Sequence, residues 1–188
     1  MSYELTHQSI IEGCKRGDQQ AQFKLYKSYA KSMYNVCLRM VGNAADAEDL
    51  LQNSFIDVFR KLHSFRYEAA IGAWMKRIVV NNCINFLRKR KVHFQELEDR
   101  HTNIIEEPSF HSTELDVKPI HEAIQQLPDG YRVVLSLYLL EGYDHKEISE
   151  ILNVSESTSK SQYSRARRRL KEILKRQDYG DVSSINKR

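Results

Sequence analysis

The sequence is poor in the residues that interrupt regular backbone. Its 188 residues include only seven glycines and three prolines. Proline breaks helix interiors and glycine weakens them, so their scarcity allows long uninterrupted helices. The same scarcity disfavours an all-β fold, which needs many turns. We therefore expect an all-α protein.

Cysteine is also scarce, and long apolar runs are missing. Cys14, Cys37 and Cys83 are far apart and form no CxxC pair, which argues against a zinc knuckle or a disulfide framework. We expect them to be small core residues in a reducing compartment. The N-terminal segment lacks the pattern of a secretory signal, and no run is long enough to cross a membrane. These absences predict a cytoplasmic protein without membrane insertion.

Signatures of catalysis are absent from the sequence as well. It contains no glycine loop for phosphates, no cluster with metal-ligand spacing and no nucleophile beside a plausible base. We expect neither an enzyme nor a bound cofactor or metal ion.

The sequence does contain charge that is segregated by position. The formal net charge is only +4, but residues 144–176 combine a short amphipathic helix with a strongly basic one. Asp144 and Glu147 have the capping-box spacing, and an apolar face at helical spacing follows from Ile148. A turn is predicted at Asn153 and the residues after it, because asparagine and serine side chains compete for backbone hydrogen bonds.

The basic helix begins at Ser157 or Thr158 in this interpretation. It carries one acid, Glu172, against eight cations: Lys160, Arg165, Arg167, Arg168, Arg169, Lys171, Lys175 and Arg176. A short helix, a turn and a long basic helix are the layout of a helix-turn-helix, whose second helix enters the major groove. A solvated cationic face is the alternative, although charge of nearly one sign cannot be explained by i,i+4 salt bridges.

Apolar residues at three- and four-residue steps predict four helices before residue 91. The segment 6–16 is amphipathic, a long helix runs from the cap Asp18 to Gly42, a third starts near Asp46, and a fourth covers residues 72–91. The inward positions expected on the second and third helices are Phe23, Tyr26, Ala30, Met33, Cys37, Val41, Leu51, Phe55, Val58 and Leu62. One compact helical domain is predicted for residues 1–91.

The periodicity disappears between residues 92 and 117. This stretch has seven acids against Arg100 alone and is predicted to be a linker that cannot fold by itself. Its histidines match no metal motif and suit solvated positions: His93, His101 and His111. Residues 118–177 are predicted to form a second helical domain with residues 131–141 as its core helix. A frayed tail is expected at residues 178–188.

Two parts of the chain resemble the sigma factors of bacterial RNA polymerase, in particular the compact extracytoplasmic-function (ECF) group of the sigma-70 superfamily. Residues 46–66, DAEDLLQNSFIDVFRKLHSFR, and residues 73–91, AWMKRIVVNNCINFLRKRK, are similar to the second conserved region of that family. Residues 127–174 are similar to the fourth region. The resemblance implies a factor that binds core polymerase, directs it to promoters through −10 and −35 elements and promotes transcription initiation.

The resemblance also implies a surface for core polymerase, which would bind the clamp helices of the largest subunit, with the flap as a second contact. The residues that match are Asp46, Glu48, Asp49, Gln52, Asn53 and Asp57. Such an anionic, amide-rich face suits a basic partner helix. Asp46 and Glu48 are equally typical of an acidic helix N-terminus stabilised by the helix dipole.

For the −10 element, the resemblance implies a loop at the three asparagines that reads the DNA while one base is flipped into a pocket. The matching residues are Arg66, Trp74, Lys76, Arg77, Asn81, Asn82, Asn85, Arg88 and Lys89. Asparagine amides offer a base edge both a donor and an acceptor. An ordinary helix break at the asparagines is the alternative. Trp74 stands where the wider family often has paired tryptophans, and a core position suits it equally.

For the −35 element, the resemblance implies contacts from the basic helix. The matching residues are Thr158, Lys160, Ser161, Gln162, Ser164, Arg165 and Arg168. The family often has a basic residue at the position of Gln162, so its −35 sequence cannot be carried over. The resemblance further implies a linker threaded through the RNA channels of polymerase and an inhibitory anti-sigma protein, often membrane-bound.

The alternative function is a stand-alone helix-turn-helix regulator of transcription. In that case the first domain would serve for dimerisation or effector sensing. For such a regulator we expect palindromic DNA sites and tight binding to duplex DNA without polymerase.

Overall fold

A computed structural model describes residues 2–90 and 118–185 of the chain, and within these ranges it is helical without a strand. The chain divides into two compact units, Met1–Lys91 and Val92–Arg188. The acidic linker predicted for residues 92–117, with its three histidines, lies outside the described residues. The all-α prediction with two helical domains is confirmed. Within the described ranges, no helix is both long and apolar enough to span a bilayer.

The first unit contains four helices: α1 (Ser2–Lys15), α2 (Gln19–Val41), α3 (Ala44–Lys61) and α4 (Ile71–Lys89). The predicted cap Asp18 accepts hydrogen bonds from the backbone N–H groups of Gln20 and Ala21. Gly42 ends α2 in the left-handed conformation, with φ 72°. The third helix begins two residues before the predicted Asp46, because the side chain of Asn43 accepts the N–H of Asp46 and caps the helix there.

The core of the first unit forms around α2, which packs against α1, α3 and α4. The predicted inward residues of α3 and the three cysteines are buried. Burial raises the pKa of the Cys14 thiol to about 11. Phe23 and Tyr26 were expected inside, but Phe23 is 64% exposed and Tyr26 is 37% exposed. The buried stripe passes through Ala21 and Leu25 instead, and a residue two positions from Ala21 lies about 200° around the helix.

The second unit contains α5 (Lys118–Gln125), α6 (Asp129–Leu135), α7 (His145–Leu152) and α8 (Glu156–Ile185). Helix α8 packs against the other three. The core side chains come mainly from α5, α6 and α8: Ala123, Ile124, Leu127, Tyr131, Leu135, Ala166 and Ile173. The buried guanidinium of Arg132 donates to the carbonyl oxygen of Leu127 at 2.9 Å and forms an ion pair with Asp129, which fixes the turn between α5 and α6.

Three predictions for the second unit need correction. The core helix expected over residues 131–141 is buried only to Leu137, because the chain changes at Ser136–Leu140 to a π-helical turn whose last three side chains are exposed. Helix α8 continues to Ile185 and includes most of the predicted tail. It also begins at Glu156, since Ser155 supplies the capping hydroxyl by accepting the N–H of Thr158 at 3.0 Å.

Candidate nucleic-acid and polymerase interfaces

The helix-turn-helix in the second unit is built from two capped helices. The Asp144 carboxylate accepts the N–H of Glu147 at 2.7 Å, and the Glu147 carboxylate accepts the N–H of Asp144 at 2.9 Å. This reciprocal pair is the predicted capping box. Asn153 ends α7 in the left-handed conformation, with φ 56°. These local signals place α7 and α8 in contact across a tight turn.

The residues predicted for the −35 element lie in the first four turns of α8. Lys160 and Ser164 are exposed, and the half-buried members are Thr158, Ser161, Arg165 and Arg168. Gln162 is different, because only 1% of it is exposed. It belongs with Ser159 on the buried stripe of the helix, so its expected contact with DNA does not fit this structure. Periodicity in α8 places residue 162 on the side opposite residue 160.

The exposed side of α8 is strongly cationic, with few acids along it. Lys160 is paired with Glu156 at 2.6 Å, and Arg169 is paired with Glu172 at 2.9 Å. Two further exposed cations, Arg167 and Lys171, have no acid three or four residues away, whereas Lys175 and Arg176 lie three and four residues after Glu172. A row of positive charge along one helix is the electrostatic footprint of a phosphate-binding surface.

An aromatic cluster fixes α8 relative to α7. The His145 ring stacks on Tyr138 with ring centres 4.5 Å apart, and Tyr163 contacts both rings. The Nδ1 atom of His145 lies 2.9 Å from the hydroxyl oxygen of Ser159. Burial, and then the positive charge of Lys160, lower the pKa of His145. The sequence gives no signal for this cluster, since its members are separated along the chain and have no common spacing.

Helix α4 brings together most of the residues predicted for the −10 element. It runs without interruption through all three asparagines, so both the loop implied by the resemblance and the alternative of a helix break are wrong. Four exposed residues at steps of four, four and three lie on one face: Arg77, Asn81, Asn85 and Arg88. Lys76 is half-buried and Lys89 is exposed. The outward face of α4 thus has two amides, Asn81 and Asn85, between two arginines, Arg77 and Arg88.

Asn82 does not belong to this face. Its side-chain amide donates to the hydroxyl oxygen of Ser54 at 3.2 Å and to Oδ2 of Asp57 at 3.0 Å. Ser54 is completely buried. These bonds join α4 to α3, so Asn82 has a structural role within the unit in addition to the one predicted for it.

The segment between α3 and α4 adds aromatic residues to this region. Trp74 is half-buried, with its ring centre 5.4 Å from that of Phe65, and Arg66 is exposed. Beside them is an open cavity of about 520 Å³, whose walls include His7, Tyr29, Phe65, Tyr67, Glu68 and Ile71. No spacing pattern in the sequence predicts this cavity, because its walls come from α1, α2, the segment before α4 and the first residue of α4.

The residues predicted to bind core polymerase divide into two groups on α3. Glu48, Asp49, Gln52 and Asn53 are exposed on consecutive turns. Asp46 is held by Arg90 through two contacts, of 2.8 Å and 3.2 Å, and Asp57 is held by Asn82. The first group forms a surface that a partner can reach, whereas the second group joins α3 to α4 and its C-terminal end.

Comparisons with known proteins match both units. The family model Sigma-70 region 2 matches residues 25–92, and the model Sigma-70, region 4 matches residues 118–170. The chain is 31% identical over 185 residues to the ECF RNA polymerase sigma factor SigW of Bacillus subtilis, covering 92% of this chain and 98% of SigW. It is 32% identical over 158 residues to SigM of the same organism, covering 81% of this chain and 94% of SigM.

A solved structure is similar as well. It is the sigma factor RpoE of Bartonella quintana, crystallised in complex with the anti-sigma factor NepR. The TM-score is 0.55 and the identity 25%, over 81% of this chain and 95% of that chain.

Proposed function

This chain belongs to the ECF sigma factors of RNA polymerase, in the sigma-70 family, and we propose which of its surfaces bind promoter DNA and which bind core polymerase. The second unit binds the −35 element, α4 and the segment before it bind the −10 element, and the exposed face of α3 binds core polymerase. The observation that carries the proposal is the face of α4, where two asparagine amides stand between two arginines on an unbroken helix.

On the −10 side, Asn81 and Asn85 are proposed to contact base edges. Their amides can both donate and accept, and their exposure leaves them accessible to a strand. The neighbouring cations are proposed to bind phosphates: Arg66, Lys76, Arg77, Arg88 and Lys89. Trp74 would stack on an unpaired base, and the cavity beside Phe65 could receive a flipped one. Asn82 would contribute by holding α4 in place.

On the −35 side, we place the first turns of α8 in the major groove. Lys160, Ser161 and Ser164 are short or flexible enough to approach base edges, while Arg165 and Arg168 follow where phosphates would lie. Thr158 lies in the first turn of the helix, whose positive end favours a nearby phosphate. Gln162 is left out, because its side chain is buried.

For core polymerase, the proposed surface consists of Glu48, Asp49, Gln52 and Asn53. A basic helix, such as the clamp helices implied by the family, would complement this anionic face. Asp46 and Asp57 are proposed to support this surface, because their bonds to Arg90 and Asn82 hold α3 against α4 and its C-terminal end. The flap would be the second contact, made by the second unit.

An anti-sigma protein is proposed as a further partner. RpoE of Bartonella quintana is similar to this chain and was solved in complex with its anti-sigma factor NepR. Membrane attachment of such a partner stays a prediction, as do a cytoplasmic location and the absence of catalytic activity in this chain.

A gel shift with and without core enzyme tests the proposal against a stand-alone regulator. The proposal predicts sequence-specific complexes with promoter DNA only when core enzyme is present. Tight binding of the chain alone to palindromic duplex sites would favour the regulator instead.

A further inference from the structure

Tyr67 lies in the segment between α3 and α4 with an unusual backbone conformation. Its φ is +64°, a left-handed value that a bulky side chain rarely adopts. Such conformations persist when neighbouring contacts hold them, and they concentrate at functional sites. The contacts that hold this one come from α1, more than fifty residues earlier in the chain.

Two residues on α1 bind Tyr67. The Tyr67 hydroxyl donates to Oε1 of Glu12 at 2.5 Å, and the Lys15 ammonium binds the same oxygen at 3.0 Å. Lys15 Nζ also lies 4.7 Å from the centre of the Tyr67 ring and 3.5 Å from the carbonyl oxygen of Phe65. A charge-assisted hydrogen bond and a cation–π contact therefore act together on one side chain. We call these three residues, Glu12, Lys15 and Tyr67, the α1 clip.

The charges of the α1 clip reinforce one another. The hydrogen bond from Tyr67, followed by that from Lys15, lowers the pKa of Glu12. The hydrogen bond to Glu12 raises the pKa of Lys15. The carboxylate and the ammonium are therefore both charged at neutral pH.

The position of α1 is itself fixed by close packing. A Cβ atom at Gly13 would lie 2.7 Å from the Cβ of Ala21 on α2, so only glycine allows this approach. Glu12 and Lys15 lie on either side of Gly13 along α1. The clip thus connects the side chain of Tyr67 to a closely packed part of the core.

Aromatic contacts extend from the clip to the proposed −10 surface. The Phe65 ring centre is 4.8 Å from that of Tyr67 and 5.4 Å from that of Trp74. Phe65 and Tyr67 also form part of the wall of the cavity, and Arg66 lies between them. The conformation of Tyr67 therefore determines where this wall and Arg66 stand relative to Trp74.

We propose that Glu12 and Lys15 are positioning residues for the −10 element, which hold residues 65–70 in the conformation that receives the unpaired strand. The proposal rests on the function proposed above. A preformed segment avoids the entropy cost of ordering a loop when the strand binds. Without the clip, the segment would relax from the left-handed conformation and lose part of its affinity for the strand.

The test uses the full chain bound to core polymerase and a promoter found by reconstituted transcription. Affinity is measured for fork DNA whose −10 segment is single-stranded, and separately for duplex DNA that carries only the −35 element. We expect Glu12→Ala and Tyr67→Phe each to weaken fork binding by about three- to tenfold, by loss of a charge-assisted hydrogen bond. Binding to the −35 duplex and to core enzyme should stay within twofold.

Two further variants separate positioning from general stability. The double variant, Glu12→Ala with Tyr67→Phe, should lose no more fork affinity than the weaker-binding single variant, because both changes break the same hydrogen bond. Glu12→Gln keeps an acceptor for the Tyr67 hydroxyl and should restore part of the affinity. Glu122→Ala removes an exposed acid from α5, which carries no proposed DNA contact, and should leave fork binding unchanged.

Fork affinity within twofold of the parent in all clip variants would overturn the proposal, as would an equal loss on the fork, the −35 duplex and core enzyme. Failure of the proposed function looks different. In that case the parent chain itself would show no dependence on the −10 sequence, whatever the clip variants do.

Discussion

Asn82 on α4 donates a hydrogen bond of 3.0 Å to the carboxylate of Asp57 on α3. The two residues were predicted for different surfaces, the −10 element and core polymerase. This bond joins the helices that carry these surfaces, and the same amide of Asn82 also donates to the buried hydroxyl oxygen of Ser54. The proposed polymerase and promoter surfaces of the first unit are therefore parts of one rigid body.

The first prediction is that Asn82→Ala destabilises the first unit. It removes two hydrogen bonds, one to a charged acceptor and one to a buried hydroxyl, so the free energy of unfolding should fall by about 1–2 kcal/mol. Urea unfolding followed by the fluorescence of Trp74, the only tryptophan in the chain, measures this. Asn81→Ala, one residue away on the exposed face, is the control and should change stability little. Equal stability of the two variants would show that the bond to Asp57 contributes nothing.

The second prediction concerns the exposed acids of α3. Glu48→Lys and Asp49→Lys should each weaken binding to core polymerase by about tenfold, since like charges then face a basic partner. Surface plasmon resonance with immobilised core enzyme measures the affinity. The matched control is Glu122→Lys, the same change on the exposed side of α5. If it weakens binding as much, net charge rather than this surface governs association.

The third prediction is a pair of opposite effects at the start of α8. Lys160→Ala should weaken binding of the holoenzyme to promoter DNA and reduce the slope of its salt dependence by about one. Glu156→Gln removes the acid that pairs with Lys160 at 2.6 Å and should strengthen binding by about two- to threefold. Filter binding at several salt concentrations tests both. Changes in the same direction would contradict the proposed orientation of α8 towards DNA.

The fourth prediction is a pH dependence of the second unit. Burial lowers the pKa of His145 below its unfolded value of about 6.5, so folding favours the neutral ring. The contribution to stability is present above pH 6.5 and is lost as the pH falls through the folded pKa. The groups around the ring are Lys160, Glu156, Asp144, Tyr138, Tyr163 and Ser159.

Hydrogen exchange of residues 145–163 measures this effect. Exchange, corrected for its intrinsic pH dependence, should become faster from pH 7 to pH 5 in the parent chain. It should change less in His145→Asn, which does not titrate in this range. The control His63→Asn, in the other unit, should show the same change of exchange rate with pH as the parent chain. If the exchange rate of His145→Asn also changes with pH as much as that of the parent, His145 is not the cause.

Local signals predicted much of the fold. Asp18, Gly42 and the capping box of Asp144 and Glu147 mark helix ends through their own chemistry, and the structure places them there. Position around a helix was harder to predict, because several apolar residues compete for the inward face. Phe23 was expected to be buried and Gln162 to be exposed. In the structure Phe23 is exposed and Gln162 is buried, because the packing of neighbouring helices determines which side of each helix faces the core.

Contacts between distant residues could not be predicted. The bonds of Asn82 with Asp57 and of Tyr67 with Glu12, and the cluster around His145, join residues that are 7 to 55 positions apart. Each depends on how helices lie against one another, which one-dimensional spacing does not encode. The sequence therefore indicated which residue types form the candidate surfaces, and the structure shows which of them stand on an accessible face.

The central claim is that this chain directs core polymerase to promoters with two separate elements. Transcription reconstituted from purified core enzyme, the chain and fragments of its own genome tests it, with the 5′ ends of the transcripts sequenced. We predict new starts that share a −10 and a −35 element and disappear when either element is changed. Transcription without any start that depends on the chain, on all fragments, would contradict the account.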